Sequence, residues 1–130
     1  MLHLHGELLK VRSTVNHNYI LDWETDLNIG DVDNKGHQLR PHIVWFGEEV
    51  PALEEAVELV AKAGILIIIG TSLQVYPAAG LMNFANHSIP VYYIDPKPAP
   101  IYNLANDIKI IAATGSEGMK TVRKDLEKLK

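Results

Sequence analysis

The chain reads as an α/β protein built on a parallel β-sheet, and three observations carry that reading. Ile65-Leu66-Ile67-Ile68-Ile69 is a run of five large aliphatic residues without polar alternation, as expected of a strand covered on both faces in the middle of a parallel sheet. Gly70, Thr71 and Ser72 follow it directly, a small residue and two hydroxyls at a strand's carboxyl end, where open α/β sheets bind ligands. Helix-forming segments then alternate with further β-rich runs along the rest of the chain, the pattern of right-handed crossovers.

Composition narrows the function classes. A chain of 130 residues fits one domain and can bury a real core, yet is short for a complete doubly wound nucleotide-binding enzyme. A formal net charge of −4 and the lack of a long Lys/Arg run argue against a nucleic-acid footprint and a membrane-surface patch. The longest apolar run falls well below the roughly 18–20 residues that span a bilayer, and His3 and His5 stand where a signal peptide would have its apolar core. A soluble, cytoplasmic protein is expected. With no cysteine there is no disulfide, no thiolate nucleophile and no cysteine-based zinc site.

Taken in order, polarity alternates from Leu2 to Gly6 and again from Lys10 to Arg12, which predicts a strand, a glycine bend and a second strand. Residues 13–38 turn to Asn, Asp, Gly and His around Tyr19-Ile20-Leu21-Asp22-Trp23, predicting a small loop-rich insertion with one hairpin held down by Tyr19, Leu21 and Trp23. Ile43-Val44-Trp45-Phe46 predicts a short strand that Gly47 ends. Pro51 opens the clearest helix, with Glu54 and Glu55 at its positive amino end, Leu53, Val57 and Val60 on one face, and Gly64 as its stop.

After the 65–69 strand a helix is predicted over 77–87, since Pro77 suits a first turn and Ser88 and Pro90 break the helical pattern beyond His87. Val91-Tyr92-Tyr93-Ile94 is the next strand, closed by Asp95-Pro96-Lys97-Pro98, and residues 108–112 form the last. Ser116 is expected to cap a terminal helix whose buried stripe is Met119, Val122, Leu126 and Leu129. This order is half of a Rossmann-type fold: residues 39–130 form the Rossmann half and 13–38 the inserted module.

By itself, a strand ending in a Gly-Thr-Ser loop reads first as a loop that simply turns the chain, since such strands occur in most α/β proteins. Its companions decide. His-Gly-Glu-Leu at 5–8, Leu-Arg-Pro-His-Ile-Val-Trp-Phe-Gly-Glu at 39–48, Gly-Thr-Ser-Leu-Gln-Val-Tyr-Pro-Ala-Ala at 70–79 and Ile-Asp-Pro-Lys-Pro at 94–98 stand in the order and spacing of the carboxyl-terminal half of the sirtuins. The chain resembles that family of NAD-dependent protein lysine deacylases, its bacterial branch most closely. The resemblance covers nearly the whole chain and is weak only over 13–38.

The resemblance implies a DHS-like NAD-binding fold and specific roles. His5 matches the catalytic histidine of the family's His-Gly motif, which takes a proton from a ribose hydroxyl after the acyl oxygen has joined the nicotinamide ribose; imidazole suits this because its ordinary pKa lies near neutrality. Without the motif, His5 would read as a polar strand-end residue bonded to a backbone carbonyl. Gly70, Thr71 and Ser72 match the NAD-contacting Gly-Thr-Ser, the glycine letting backbone approach the dinucleotide while the hydroxyls reach ribose or phosphate oxygens. Asp95 falls where sirtuins commonly carry an asparagine near the adenosine ribose, and Gly115 aligns with a small residue at the adenine. Val44, Trp45, Phe46 and Gly47 correspond to the segment that pairs with the acyl-lysine peptide through its backbone, with Phe46 walling the lysine channel and Val75 also on the substrate side. Val44 and Trp45 read equally well as core.

Two metal readings are set aside. His3 and His5 would share one strand face but lack a third ligand at a recognisable spacing, and residues 31–36 imitate a calcium loop with Lys35 at its fifth position and His42 at its twelfth. Most sirtuins bind zinc through four cysteines; here Ser13 stands at the first such position and the others are absent, so the resemblance implies a zinc-free module held by Tyr19, Leu21, Trp23 and turn chemistry.

The family's amino-terminal half, with its glycine-rich phosphate loop, has no counterpart in these residues. The expectation is a fragment inactive alone, whose open sheet edge is covered by that half or by a second copy of the chain. The alternative is a non-catalytic nucleotide-binding or oligomerisation module derived from a Rossmann half. Another enzyme of the same broad architecture would leave the His-Gly and Trp-Phe-Gly-Glu motifs unexplained.

Overall fold

The computed structural model describes residues 1–102 and 104–128. The chain divides into two compact units, Met1–Ala52 and Leu53–Lys130, and each holds a three-stranded sheet.

The first unit is an antiparallel sheet of β1 (Gly6–Ser13), β2 (Ile20–Asp22) and β3 (Leu39–Ile43) in the order β2-β1-β3. Sequence patterning predicts two short strands about a bend at Gly6; instead residues before Gly6 form a turn and one continuous strand begins there. Pairing explains the difference. β1 pairs with β3 at Gly6 and again from Val11 to Ser13 across an irregularity between them, and with β2 from Lys10 to Arg12, so Val11 lies opposite both Leu21 and Pro41 and Arg12 opposite both Ile20 and Arg40. The strand expected at 43–46 lies earlier, at 39–43. Pro41 is tolerated because β3 is an edge strand, and beyond Ile43 the Trp45 N–H is captured by the Glu48 carboxylate (2.9 Å), which turns the chain.

Residues 13–38 form the expected hairpin and are held by turn chemistry, without the apolar plug expected of Tyr19, Leu21 and Trp23. Leu21 is exposed and Tyr19 and Trp23 are only half-buried, whereas the buried groups are polar. Asp33 accepts from the backbone N–H groups of Lys35 (2.8 Å) and His37 (2.9 Å) and bonds the His37 ring (3.0 Å). The Gln38 amide donates to the carbonyls of Asn28, Asp31 and Leu39 and accepts from the Gly30 N–H. Ser13, fully buried, accepts from the N–H groups of Val15 and Asn16. Short Asp, Gln and Ser side chains satisfy tight-turn backbone directly, and that lashing replaces an apolar plug.

The second unit runs α1 (Leu53–Ala61), β4 (Leu66–Ile69), a 3-10 helix (Ala78–Phe84), β5 (Val91–Ile94), β6 (Ile108–Ile111) and α2 (Gly115–Glu127), with a parallel sheet in the order β4-β5-β6. The aliphatic 65–69 strand therefore lies at an edge, half-buried with Ile69 exposed, and the middle position with complete burial belongs to β5. The patterning that marks a strand covered on both faces is present in β4, but this sheet supplies a neighbour on one side only. The expected strand at 43–46 does not join this sheet; its residues belong to the antiparallel unit and its turn.

Tyr92, Ile94 and Val122 form the core, with Ile67, Ile111, Met119 and Leu126 packed against it. Leu129, expected in the same stripe, lies outside the described residues. Thr114, not Ser116, occupies the amino-cap position of α2, its hydroxyl bonding the Glu117 carboxylate (3.0 Å). The helix expected over 77–87 is a shorter 3-10 helix, in keeping with Gly80 and Asn83 in so brief a segment. Among the described residues no helix is long and apolar enough to cross a membrane.

α2 approaches β5 closely at Gly118, where a Cβ would fall within the van der Waals envelope of the fully buried Ile94 side chain. Ile94 has no room to withdraw. Gly118→Ala is expected to lower stability by about 1–3 kcal/mol in urea denaturation, the usual cost of overpacking a core; an unchanged midpoint would show that α2 does not seat on β5 in this way.

Candidate functional site

In the second unit, the candidate cofactor residues follow the carboxyl ends of the three parallel strands. The register Ile69↔Ile94↔Ile111 makes the strands end together. The ladder then runs one step further: the Gly70 N–H donates to the Ile94 carbonyl (2.9 Å) and the Asp95 N–H to the Ile111 carbonyl (3.2 Å). Gly70 and Asp95 are thus brought side by side at the rim where α/β sheets take ligands, with Gly115 opening α2 after β6.

Gly70 has φ +64, and a Cβ there would meet nothing within 4 Å, so its backbone is open to a close-approaching group. The Thr71 hydroxyl accepts from the Leu73 N–H (3.1 Å), which leaves its own proton to donate outward, and Ser72 is exposed. Asp95 uses one carboxylate oxygen to accept from the Lys97 N–H (2.7 Å). A Cβ on Gly115 would stand 3.0 Å from Ile69 Cγ2, so a small residue is required where α2 meets β4. Val75 is exposed in the loop after the Gly-Thr-Ser turn.

Sequence reasoning missed Tyr93. Read only as part of an apolar strand, it is fully buried, donates its hydroxyl proton to the Thr71 carbonyl (2.8 Å) and accepts from the Ala99 N–H (3.1 Å). One phenol on the central strand thereby ties down both the Gly-Thr-Ser turn and the loop after Asp95. Its place in a Tyr-Tyr pair was the available signal, since a buried tyrosine needs a partner for its hydroxyl.

In the first unit, His5 is exposed in the turn before β1, and its carbonyl accepts from the Val44 N–H (3.0 Å). The histidine turn and the Val44–Gly47 segment are therefore linked through backbone. Trp45 and Phe46 are exposed and Val44 is half-buried, so the core alternative for Val44 and Trp45 is not what the structure adopts; Gly47 is exposed in the same turn. Glu48 organises this segment. Arg40 grips its carboxylate in a fork (2.6 and 3.1 Å) while it accepts from the Trp45 N–H, and these bonds, the Arg40 pair first, hold its pKa below the ordinary carboxylate value. His42, on β3, has its pKa pushed down by burial and then by the Arg12 charge. Glu48 ends the 39–48 motif, where the sequence alone assigns it no role.

No group of three or more His, Cys, Asp or Glu able to hold a metal occurs among the described residues.

The family model described as "Sir2 family" matches residues 1–77, more than half of the chain. The chain belongs to the Sir2 family. Among curated Sir2 relatives, it is 63% identical over 97 residues to an NAD-dependent protein deacylase of Helicobacter pylori strain J99, covering 75% of this chain and 42% of that protein. It is 46% identical over 129 residues to the NAD-dependent protein deacylase of Bacteroides thetaiotaomicron, covering 95% of this chain and 55% of that protein. A solved structure of a Sir2 homologue in complex with NAD matches with a TM-score of 0.75 at 32% identity, over 99% of this chain and 52% of that one. A mutant Sir2 homologue in complex with ADP ribose matches with a TM-score of 0.73 at 33% identity, over 97% and 53%. This Sir2 chain spans about half the length of the curated relatives it matches.

The Asp33 cluster of this Sir2 chain has a definite pH signature. Burial pushes the Asp33 pKa up, but hydrogen bonds from the Ser13 hydroxyl, the His37 and Lys35 N–H groups and the His37 ring outweigh it and leave the carboxyl well below its ordinary value. A folded-state pKa below the unfolded one means stability that is fully present above the unfolded value, about 3.9, and lost as pH falls through the folded one. Trp23 fluorescence is expected to report loosening of the 13–38 module below about pH 4, and Asp33→Asn to remove that acid-dependent step; an unaltered profile in the variant would assign it to another carboxylate.

Proposed function

We propose that this chain is the carboxyl-terminal, NAD- and substrate-binding portion of a bacterial NAD-dependent protein lysine deacylase, with residues 13–38 as its small module; of the stretch 39–130 expected as its Rossmann half, residues 39–52 belong to the antiparallel unit and Leu53–Lys130 carries the parallel sheet. The observation that carries this reading is the placement of Gly70 and Asp95 side by side just beyond β4 and β5, with Gly115 opening α2 after β6. The names of its relatives and the four motifs support the same reaction.

The rim residues fit a dinucleotide. The open backbone of Gly70 admits close approach, the Thr71 proton and the Ser72 hydroxyl suit ribose or phosphate oxygens, and the second carboxylate oxygen of Asp95 can accept from ribose hydroxyls. When bound, NAD supplies the nicotinamide ribose that takes up the acyl oxygen as nicotinamide departs. His5 acts as the general base for a ribose hydroxyl, and its exposure leaves the ring accessible to that proton. Val44–Gly47 presents backbone for strand addition to an acyl-lysine peptide, with Glu48 and Arg40 fixing its shape and Phe46 offering apolar surface to the lysine stem.

The edge position of β4 favours a companion reading, in which the chain associates through that edge. β4 pairs on one side only and borders a cleft of about 270 Å³ lined by Val60, Leu81 and Met82 among others, so the remaining half of the protein or a second copy of this chain would complete its ladder.

The test is incubation of the chain with NAD and an acetyl-lysine peptide, with and without a polypeptide covering the other half of the relatives. Deacylated peptide is expected only on complementation. His5→Ala should lower that rate by about 100-fold or more, in line with loss of a general base. Asp95→Asn should preserve NAD affinity and Asp95→Leu reduce it several-fold. Saturable NAD binding without product under either condition would leave a nucleotide-binding module, and absence of both would remove the deacylase reading.

A further inference from the structure

The antiparallel unit contains a buried cation that the reaction above does not use. Arg12, on the central strand β1, has a side chain only 8% exposed, and a guanidinium keeps its charge in proteins, so a full positive charge lies inside the sheet's packing. Its surroundings leave that charge poorly matched. The facing carboxylate is Glu48, whose Oε2 stands 3.9 Å from Arg12 Nη2, beyond hydrogen-bond reach, and Glu48 is already engaged by the Arg40 fork and the Trp45 N–H. Glu7, the other nearby acid, is held by Lys10 at 3.0 Å.

Two buried polar atoms, Arg12 Nε and His42 Nδ1, have no hydrogen-bond partner among the described residues. Arg12 and His42 both line a partly open cavity of about 90 Å³, bordered by His3, Val44, Pro51 and Ala52 among others, and no acidic side chain is among its lining residues. Burial and the Arg12 charge keep His42 towards its neutral form, in which a ring nitrogen can still donate one hydrogen bond. An unpaired buried charge is among the costliest features a fold can carry, and the usual remedy is an opposite charge bound beside it.

We propose that this cavity is a binding site for one small monovalent anion, a halide or a short carboxylate such as formate or acetate, held by the Arg12 Nε–H and the His42 ring. Size and chemistry set the class. The space admits only a few atoms, one positive charge is left to match, and the walls of Val44, Pro51 and Ala52 disfavour a strongly hydrated dianion. The site borders the His5–Val44 link, since Val44 and both chain neighbours of His5, Leu4 and Gly6, line it. Occupancy would steady the turn that carries His5 against β3. The site is defined by these residues of the antiparallel unit and does not depend on the proposed reaction.

The experiment is a chloride-35 NMR linewidth titration of the full chain at constant ionic strength, followed by competition with formate and with acetate. Wild type is expected to show saturable broadening. Displacement by either carboxylate identifies a site for short carboxylates, and persistence against both identifies a halide site; each supports the proposal. Arg12→Gln should weaken binding by about tenfold or more, the loss expected for a charge-assisted bond. Ala52→Leu, which fills the cavity while keeping Arg12, should do the same, and it decides the matter if Arg12→Gln does not fold by circular dichroism. Linear, non-saturable broadening in wild type would mean that the cavity holds water only, and saturable broadening retained in Ala52→Leu would place the anion elsewhere; either result overturns the proposal.

Discussion

The parallel register of β4, β5 and β6 is the constraint on which the candidate cofactor rim depends. Because Ile69, Ile94 and Ile111 lie opposite one another, the residues after them emerge at one level of the sheet, and two further backbone bonds align Gly70 with Asp95. A slip of one residue would move every side chain to the opposite face and separate these groups. Burial of β5 at all four positions makes such a slip expensive, since each side chain would have to repack against the layer on the opposite face. Tyr93 extends the same constraint into the loops: its hydroxyl, set by a buried strand, holds the Thr71 carbonyl and the Ala99 N–H. The turn that carries the hydroxyl-bearing residues is therefore shaped by the core beneath it.

The antiparallel unit solves a different problem with different forces. Its loops are long relative to its strands, and no large apolar cluster closes them among the described residues. Asp33, Gln38 and Ser13 instead accept and donate to turn backbone at close range, so polar groups that would otherwise need water are satisfied inside the module. The same economy governs 44–48. Glu48 neutralises Arg40 and captures the Trp45 N–H, leaving Trp45 and Phe46 turned outward on an ordered loop. Exposed aromatic side chains on fixed backbone are costly for a fold and useful for recognition.

The chain belongs to the Sir2 family and spans about half the length of the curated relatives it matches, and β4 is the strand whose composition and position disagree. The strand has the composition of an interior strand, aliphatic throughout, yet it pairs on one side only. That mismatch between composition and position is the observation behind the association proposed for β4. Arg12 presents a mismatch of the same kind in the other unit, a permanent charge in a buried position with its neighbouring carboxylate already engaged.

Local chemistry was enough to locate most of what the chain contains. The strands at 66–69, 91–94 and 108–111, the acidic-first helix from Leu53 and the terminal helix follow from apolar runs, periodicity and breakers, because those signals lie within a few residues of one another. The candidate site residues at 5, 44–47, 70–72 and 95 were singled out by motifs that are equally short-range. Pairing partners were not, since strand neighbours are distant in sequence. Thus β1 became one strand rather than two, β3 began at Leu39, and β4 moved to an edge while β5 took the centre. The supporting residues, Tyr93, Glu48, Arg12 and Gln38, likewise owe their roles to contacts across the fold, and an isolated position in the sequence carries no information about which carbonyl or charge will lie opposite it.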